Sequence, residues 1–153
     1  AMFKRILVPI DGSRTSDLGL DEAIRMARRE RATLCLLHVV DESVITRNLD
    51  VGGAAVERLL ESLRESGRVI LARAASRLRK QRIRFKTVMV ENIIRGVADV
   101  IVGQARKWRA DLIVIGTHGR RGLTRMVMGS DAEGVIRTTP VPVLLVRSGT
   151  RRR

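Results

Sequence analysis

The chain has 153 residues and a formal net charge of +14, with 44% hydrophobic and 30% charged residues. That length suits one domain with its own core and calls for no second. No apolar run approaches the ~20 residues that span a bilayer, and the N-terminus lacks a signal-peptide pattern, so a cytoplasmic location is expected; a single cysteine, Cys35, excludes an intramolecular disulfide.

In chain order, Phe3 to Ile10 is a short apolar run rich in β-branched residues and closed by Pro9 and Asp11-Gly12-Ser13, the mark of a buried strand ending in a turn. Leu18, Leu20, Ala23, Ile24 and Ala27 then recur at helical spacing, with Ser13 or Thr15 as N-cap and an end near Arg31. Thr33 to Val40 is a second strand, with Cys35 as a buried thiol. The polar stretch Asp41 to Gly53 reads as a surface loop. Val56, Leu60, Leu63, Gly67, Ile70, Ala74 and Leu78 mark one face of a long helix. Arg84 to Val90 is a third strand, Ile94 to Trp108 a helix, Leu112 to Ile115 a fourth strand, Ser130 to Arg137 a helix and Val141 to Val146 a fifth strand. Strand and helix alternate, so the expected fold is a single-domain α/β, Rossmann-like parallel sheet with helices on both faces. A basic tail, 148–153, is expected to be disordered.

The stretch Gly116 to Ser130 concentrates the functional signal. It leaves the fourth strand as a glycine-studded loop and runs into a helix whose Ser130-Asp131-Ala132-Glu133 has the form of a capping box. Strand, glycine loop and helix N-terminus make an anion site, because unsatisfied backbone N–H groups and the positive end of the helix dipole share one space. Glycines let the backbone approach phosphate oxygens without a Cβ in the way. No Walker A loop is present; Arg120, Arg121 and Arg125 are the local cations, and His118 is either a phosphate donor or an exposed loop side chain. His38, on an apolar strand, reads as a core histidine.

The spacing Gly116-x-x-Gly119, nine residues, Gly129-Ser130 resembles the nucleotide-binding signature of the universal stress protein family, in its ATP-binding branch. The start Arg5 to Ser13, the middle Leu36 to Asp41 and the end Pro140 to Arg147 match in the same order, so the resemblance covers residues 2–147. It implies the strand order 3-2-1-4-5, which brings Asp11 and Gly116 to one cleft at the switch point. It further implies that Pro9, Ile10 and Asp11 line the adenosine end, that Val39 offers backbone groups to adenine, and that Gly116, Gly119, Gly129 and Ser130 bind ribose and phosphates, with Asp131 beside them. The implied ligand is ATP, or AMP or ADP, with Mg2+. Asp11 either serves ribose or a magnesium-bound water or caps the turn into the first helix. Asp131 stands where matching family members commonly carry an apolar residue, and a carboxylate there opposes a triphosphate unless a cation intervenes or it turns away.

Nothing in the sequence supplies a general base or His/Cys metal spacing, so binding with at most slow hydrolysis is expected. The resemblance also implies a homodimer paired through Val141 to Val146, which is apolar on both faces and lies at a sheet edge. The competing class is a nucleic-acid-binding protein. Its basis is the Lys/Arg excess, which lies wholly after residue 50, and the cluster Arg73, Arg77, Arg79, Lys80, Arg82, Arg84 and Lys86. Against it, Phe3, Phe85 and Trp108 are the whole aromatic complement, no stacking platform is visible, and 26 of the 30 basic residues are arginine, a skew that genome composition alone can produce.

Overall fold

Successive strand residues point to opposite faces of a sheet, and the first strand divides its side chains between two cores accordingly. A computed structural model describes residues 1–46, 52–92, 95–117 and 128–147. In β1 (Arg5–Pro9), Ile6 and Val8 enter one buried cluster with Leu20, Ala23, Leu34, Leu36, Leu71 and Leu78, whereas Leu7 enters a second with Cys35, Leu37, Ile101, Ala105, Ile113 and Val135. The first cluster lies under α1 (Arg14–Glu30) and α3 (Gly53–Lys80), the second under α4 (Val97–Trp108) and α5 (Ser130–Thr138). Ile6, Leu7, Leu34 and Leu36 have no exposed surface, and each such side chain stabilises the fold by about 1.5–3 kcal/mol.

The sheet is five-stranded, with β1 at its centre and the order β3-β2-β1-β4-β5; every pairing is parallel. The other strands are β2 (Thr33–Asp41), β3 (Phe85–Asn92), β4 (Leu112–Gly116) and β5 (Val143–Val146). The implied strand order is therefore the one observed. β2 and β3 stay in register from Leu34↔Phe85 to Asp41↔Asn92, but β1 and β4 pair only through Ile6↔Leu112 and Leu7↔Ile113. The central strands thus part toward their carboxyl ends.

Several boundaries differ from expectation. The 41–53 segment contains a helical turn, α2 (Ser43–Thr46), begun by the Ser43 N–H on Asp41 Oδ1. α3 starts at Gly53, where the expected loop ends, and α4 at Val97, after an N-cap at Gly96, rather than at Ile94. β5 begins at Val143 rather than Val141, because Pro142 has no N–H for a ladder; its carbonyl accepts from Ile113 N–H instead. The 148–153 tail lies outside the described residues. Among the described residues no helix is long and apolar enough to cross a membrane.

Candidate functional site

The carboxyl end of β1 runs into a turn built by its own polar side chains. Asp11 Oδ1 accepts the Ser13 N–H at 2.9 Å, Ser13 Oγ accepts the Ser16 N–H at 3.2 Å, and buried Ser16 Oγ accepts the Asp11 N–H at 3.1 Å. Gly12 completes the turn with φ 80°, a left-handed value natural to glycine. Ser13 is the N-cap of α1, so the turn aims that helix's N-terminus along the sheet's carboxyl edge. Asp11 therefore performs the capping role open to it, while staying half-buried at the rim.

β4 delivers the second wall. Gly116 packs so tightly on the first turn of α1 that a Cβ there would stand 2.6 Å from the Thr15 carbonyl oxygen, and Gly19 answers it, its own Cβ position lying 3.3 Å from the Gly116 nitrogen. The next residue, Thr117, donates its N–H to Val146 O and accepts the Gly129 N–H on its carbonyl. The two ends of the glycine loop are thus joined to each other. Gly119, together with His118, Arg120, Arg121 and Arg125, lies outside the described residues.

At the start of α5 the capping box does not form. Gly129 is the N-cap, with φ −60° and ψ 150°, and its carbonyl accepts the Glu133 N–H; no side chain caps the helix. Ser130 is already the first helical residue, and Glu133 pairs with Arg137 at 2.7 Å instead of reaching back. The physical reason is that the N-cap needs extended backbone angles, which Gly129 takes up while Ser130 adopts the helical ones. An exposed Ser130 hydroxyl and a helix end without a side-chain cap leave first-turn amide donors for an anion. Asp131 is exposed in that same first turn, where its charge favours the helix dipole.

The remaining candidates sit where β1 and β2 end. Pro9 is opposite Leu37, the last pair of that register, and Leu37 O accepts the Ile10 N–H. Val39 therefore lies past the end of β1, paired to Val90 of β3 on its other side. Ile10 turns its side chain into the core, and its carbonyl is 2.8 Å from His38 Nδ1. His38 is buried as a core histidine, against Gly67, whose absent Cβ would stand 2.6 Å from His38 Cδ2. Sequence reasoning missed Ser16 and Gly19. A serine three residues after Ser13 and a glycine inside a helix, where it costs stability without a packing reason, were the available signals.

The universal stress protein family model matches residues 2–147. The chain belongs to the universal stress protein family. It is 36% identical over 146 residues to universal stress protein MJ0531 of Methanocaldococcus jannaschii, covering 95% of this chain and 83% of that one. Among solved structures, that of MJ0577 superposes with a TM-score of 0.83 at 27% identity, covering 98% of this chain and 99% of the other. A universal stress protein family member from Arabidopsis thaliana, solved with AMP bound, superposes with a TM-score of 0.69 over 96% and 93% of the two chains; at 14% identity that likeness speaks for the fold alone.

For a universal stress protein the surrounding chemistry is sparse. Among the described residues no three His, Cys, Asp or Glu side chains group to hold a metal. Burial pushes the Cys35 thiol up to about 11, so it stays protonated and unreactive near neutral pH. Beyond β2, buried Glu42 is raised above the ordinary carboxylate range, first by burial and then by Glu91, while Glu91 is held below it by Arg64, which binds it at 2.7 and 3.2 Å. Much of the basic cluster is engaged within the fold: Arg77 pairs with Asp21, Arg79 lies over the Phe85 ring, Lys86 over Trp108, and Arg84 donates to Arg31 O at 2.7 Å.

Proposed function

We propose that this universal stress protein binds an adenine nucleotide, ATP or else AMP or ADP, in the cleft between the carboxyl ends of β1 and β4, and serves stress response or regulation in the cytoplasm through binding, with at most slow hydrolysis. The observation that carries the reading is the approach of Gly116 to the first turn of α1, which brings the Asp11 turn and the Gly129 start of α5 to one rim. Two helix N-termini meeting at that rim suit phosphates. Adenosine would lie along Pro9, Ile10, Asp11 and Val39, with its phosphates toward Gly116, Gly119, Gly129, Ser130 and Asp131. Mg2+ would be held chiefly by phosphate oxygens and water, with Asp11 as an outer partner, since Mg2+ keeps much of its hydration in such sites. Two copies would pair through the edge strand β5.

Calorimetric titration of Mg-ATP at low and high salt, into wild type and Gly129→Val, tests the proposal. Near-stoichiometric binding that resists salt and is lost in the variant supports the cleft. Equal binding by both proteins, abolished by salt, would place the nucleotide on the basic surface and sink the reading.

A further inference from the structure

The amino ends of the strands, opposite the cleft, carry a second concentration of charge. A depression of about 770 Å³ opens there, and Lys4, Arg5, Arg31, Arg84, Lys107 and Arg109 line it. All six are exposed. None belongs to an ion pair among the described residues, whereas Arg25, Arg64, Arg68, Arg77 and Arg137 elsewhere all do. The nearby carboxylates have other partners: Glu30 Oε2 accepts the Met2 and Phe3 N–H groups, and Asp111 accepts those of Lys4 and Arg5.

Cations at helix carboxyl ends ordinarily neutralise the helix dipole. Two do so here, with Arg5 donating to Trp108 O at 3.2 Å and Arg84 to Arg31 O at 2.7 Å. That role does not account for the rest. Glu30, Asp111 and about half a negative charge from each of the α1 and α4 ends leave roughly three of the six positive charges uncompensated. Arg31 and Arg109 occupy the left-handed C-cap positions of α1 and α4, at φ 54° and 56°, where glycine is the favoured residue. Arg82, which does not line the depression, takes the same conformation at φ 56°, so the charges at the site and not its backbone angles set it apart.

We propose that this depression is an anion site for a compact oligophosphate, separate from the nucleotide cleft. Its volume falls in the range of small-molecule sites, and arginine forks suit phosphate oxygens. An extended single strand fits less well. Trp108 is the one ring at the depression, half-buried in the core and covered by Lys86 at 5.4 Å, which leaves no run of faces for successive bases.

Inorganic tripolyphosphate titrated calorimetrically into four proteins tests the site. They are wild type, Arg31→Gly/Arg109→Gly, Gly129→Val, and Arg58→Gln/Arg73→Gln, which removes two exposed charges from α3. The glycine pair keeps the left-handed caps, so folding is retained and Tm should hold or rise. The tripolyphosphate phase belonging to the depression should weaken about tenfold or more in the glycine pair and keep its wild-type affinity in the other two, while any phase belonging to the cleft should disappear in Gly129→Val alone. Loss confined to Gly129→Val would return the anion to the cleft and overturn the proposal, without touching the case for nucleotide binding. Equal losses in both arginine pairs would mean diffuse charge only, and binding of a thymidine oligonucleotide but not of tripolyphosphate would mean a nucleic-acid surface; either result also overturns it.

Discussion

Gly116 and Thr15 hold the two halves of the candidate cleft together. A methyl group on Gly116 would sit 2.6 Å from the Thr15 carbonyl oxygen and 2.7 Å from its carbon, both backbone atoms of a capped helix turn that cannot swing aside. Gly116→Ala should therefore push β4 away from α1, at a cost of about 1–3 kcal/mol for overpacking. Thermal unfolding should show a fall of several degrees in Tm. An unchanged Tm would mean that the contact is looser than its geometry.

Asp11 separates its two roles under a conservative change. Asn keeps an oxygen for the Ser13 N–H but loses the charge. Asp11→Asn should leave Tm nearly unchanged while weakening Mg-nucleotide binding about tenfold, the scale of a hydrogen bond to a charged group. Loss of stability with full affinity would leave Asp11 as a turn residue alone.

Asp131 makes the opposite prediction. Its carboxylate helps α5 by about 0.3–1 kcal/mol through the dipole, yet it stands where phosphates would arrive. In Asp131→Asn the ratio of ATP to AMP affinity, measured by titration, should rise as Tm slips. A constant ratio would show that the side chain does not meet the outer phosphates.

Glu42 gives a pH signature. A carboxyl raised in the folded state contributes stability that is complete below its ordinary value and is lost as pH rises through the folded one. Glu91, held low by Arg64, runs the other way, its contribution being lost as pH falls, and it persists when Glu42 is replaced. Glu42→Gln keeps a donor toward Glu91 and does not titrate. The Tm of this variant relative to wild type should accordingly climb from acid to neutral pH; a flat difference would show that Glu42 does not carry the burden its burial implies.

The edge strand tests assembly. Leu145 is 38% exposed on β5, which has β4 on one side and no described strand on the other. Leu145→Asp should yield monomer or insoluble protein in sedimentation runs, and an unaltered dimer would remove β5 from the interface.

The features legible in the sequence are those set by local forces. Ile6, Leu7 and Val8, or Leu112 to Ile115, are apolar because the sheet is covered on both faces, and continuous apolar runs report that directly. Gly116 was equally readable as a glycine position, although what excludes a side chain there is the backbone of α1 at Thr15. The cap of α5 was not: Ser130 and Glu133 fit the capping pattern, but one residue of backbone conformation shifted the cap to Gly129 and released Glu133 to Arg137. Nor was the basic depression, because Lys4, Arg31, Arg84 and Lys107 come from four separated segments that meet only through parallel strand order.

The short β1–β4 register has a mechanical meaning. With Ile6↔Leu112 and Leu7↔Ile113 as its rungs, that seam is the sheet's thinnest line, and the proposed nucleotide would straddle it, touching Asp11 on one side and Gly129 on the other. A bound ligand there works as a staple, so occupancy should slow amide exchange in β1 and β4 together. The β2–β3 pair, zipped along its whole length, should scarcely register the ligand.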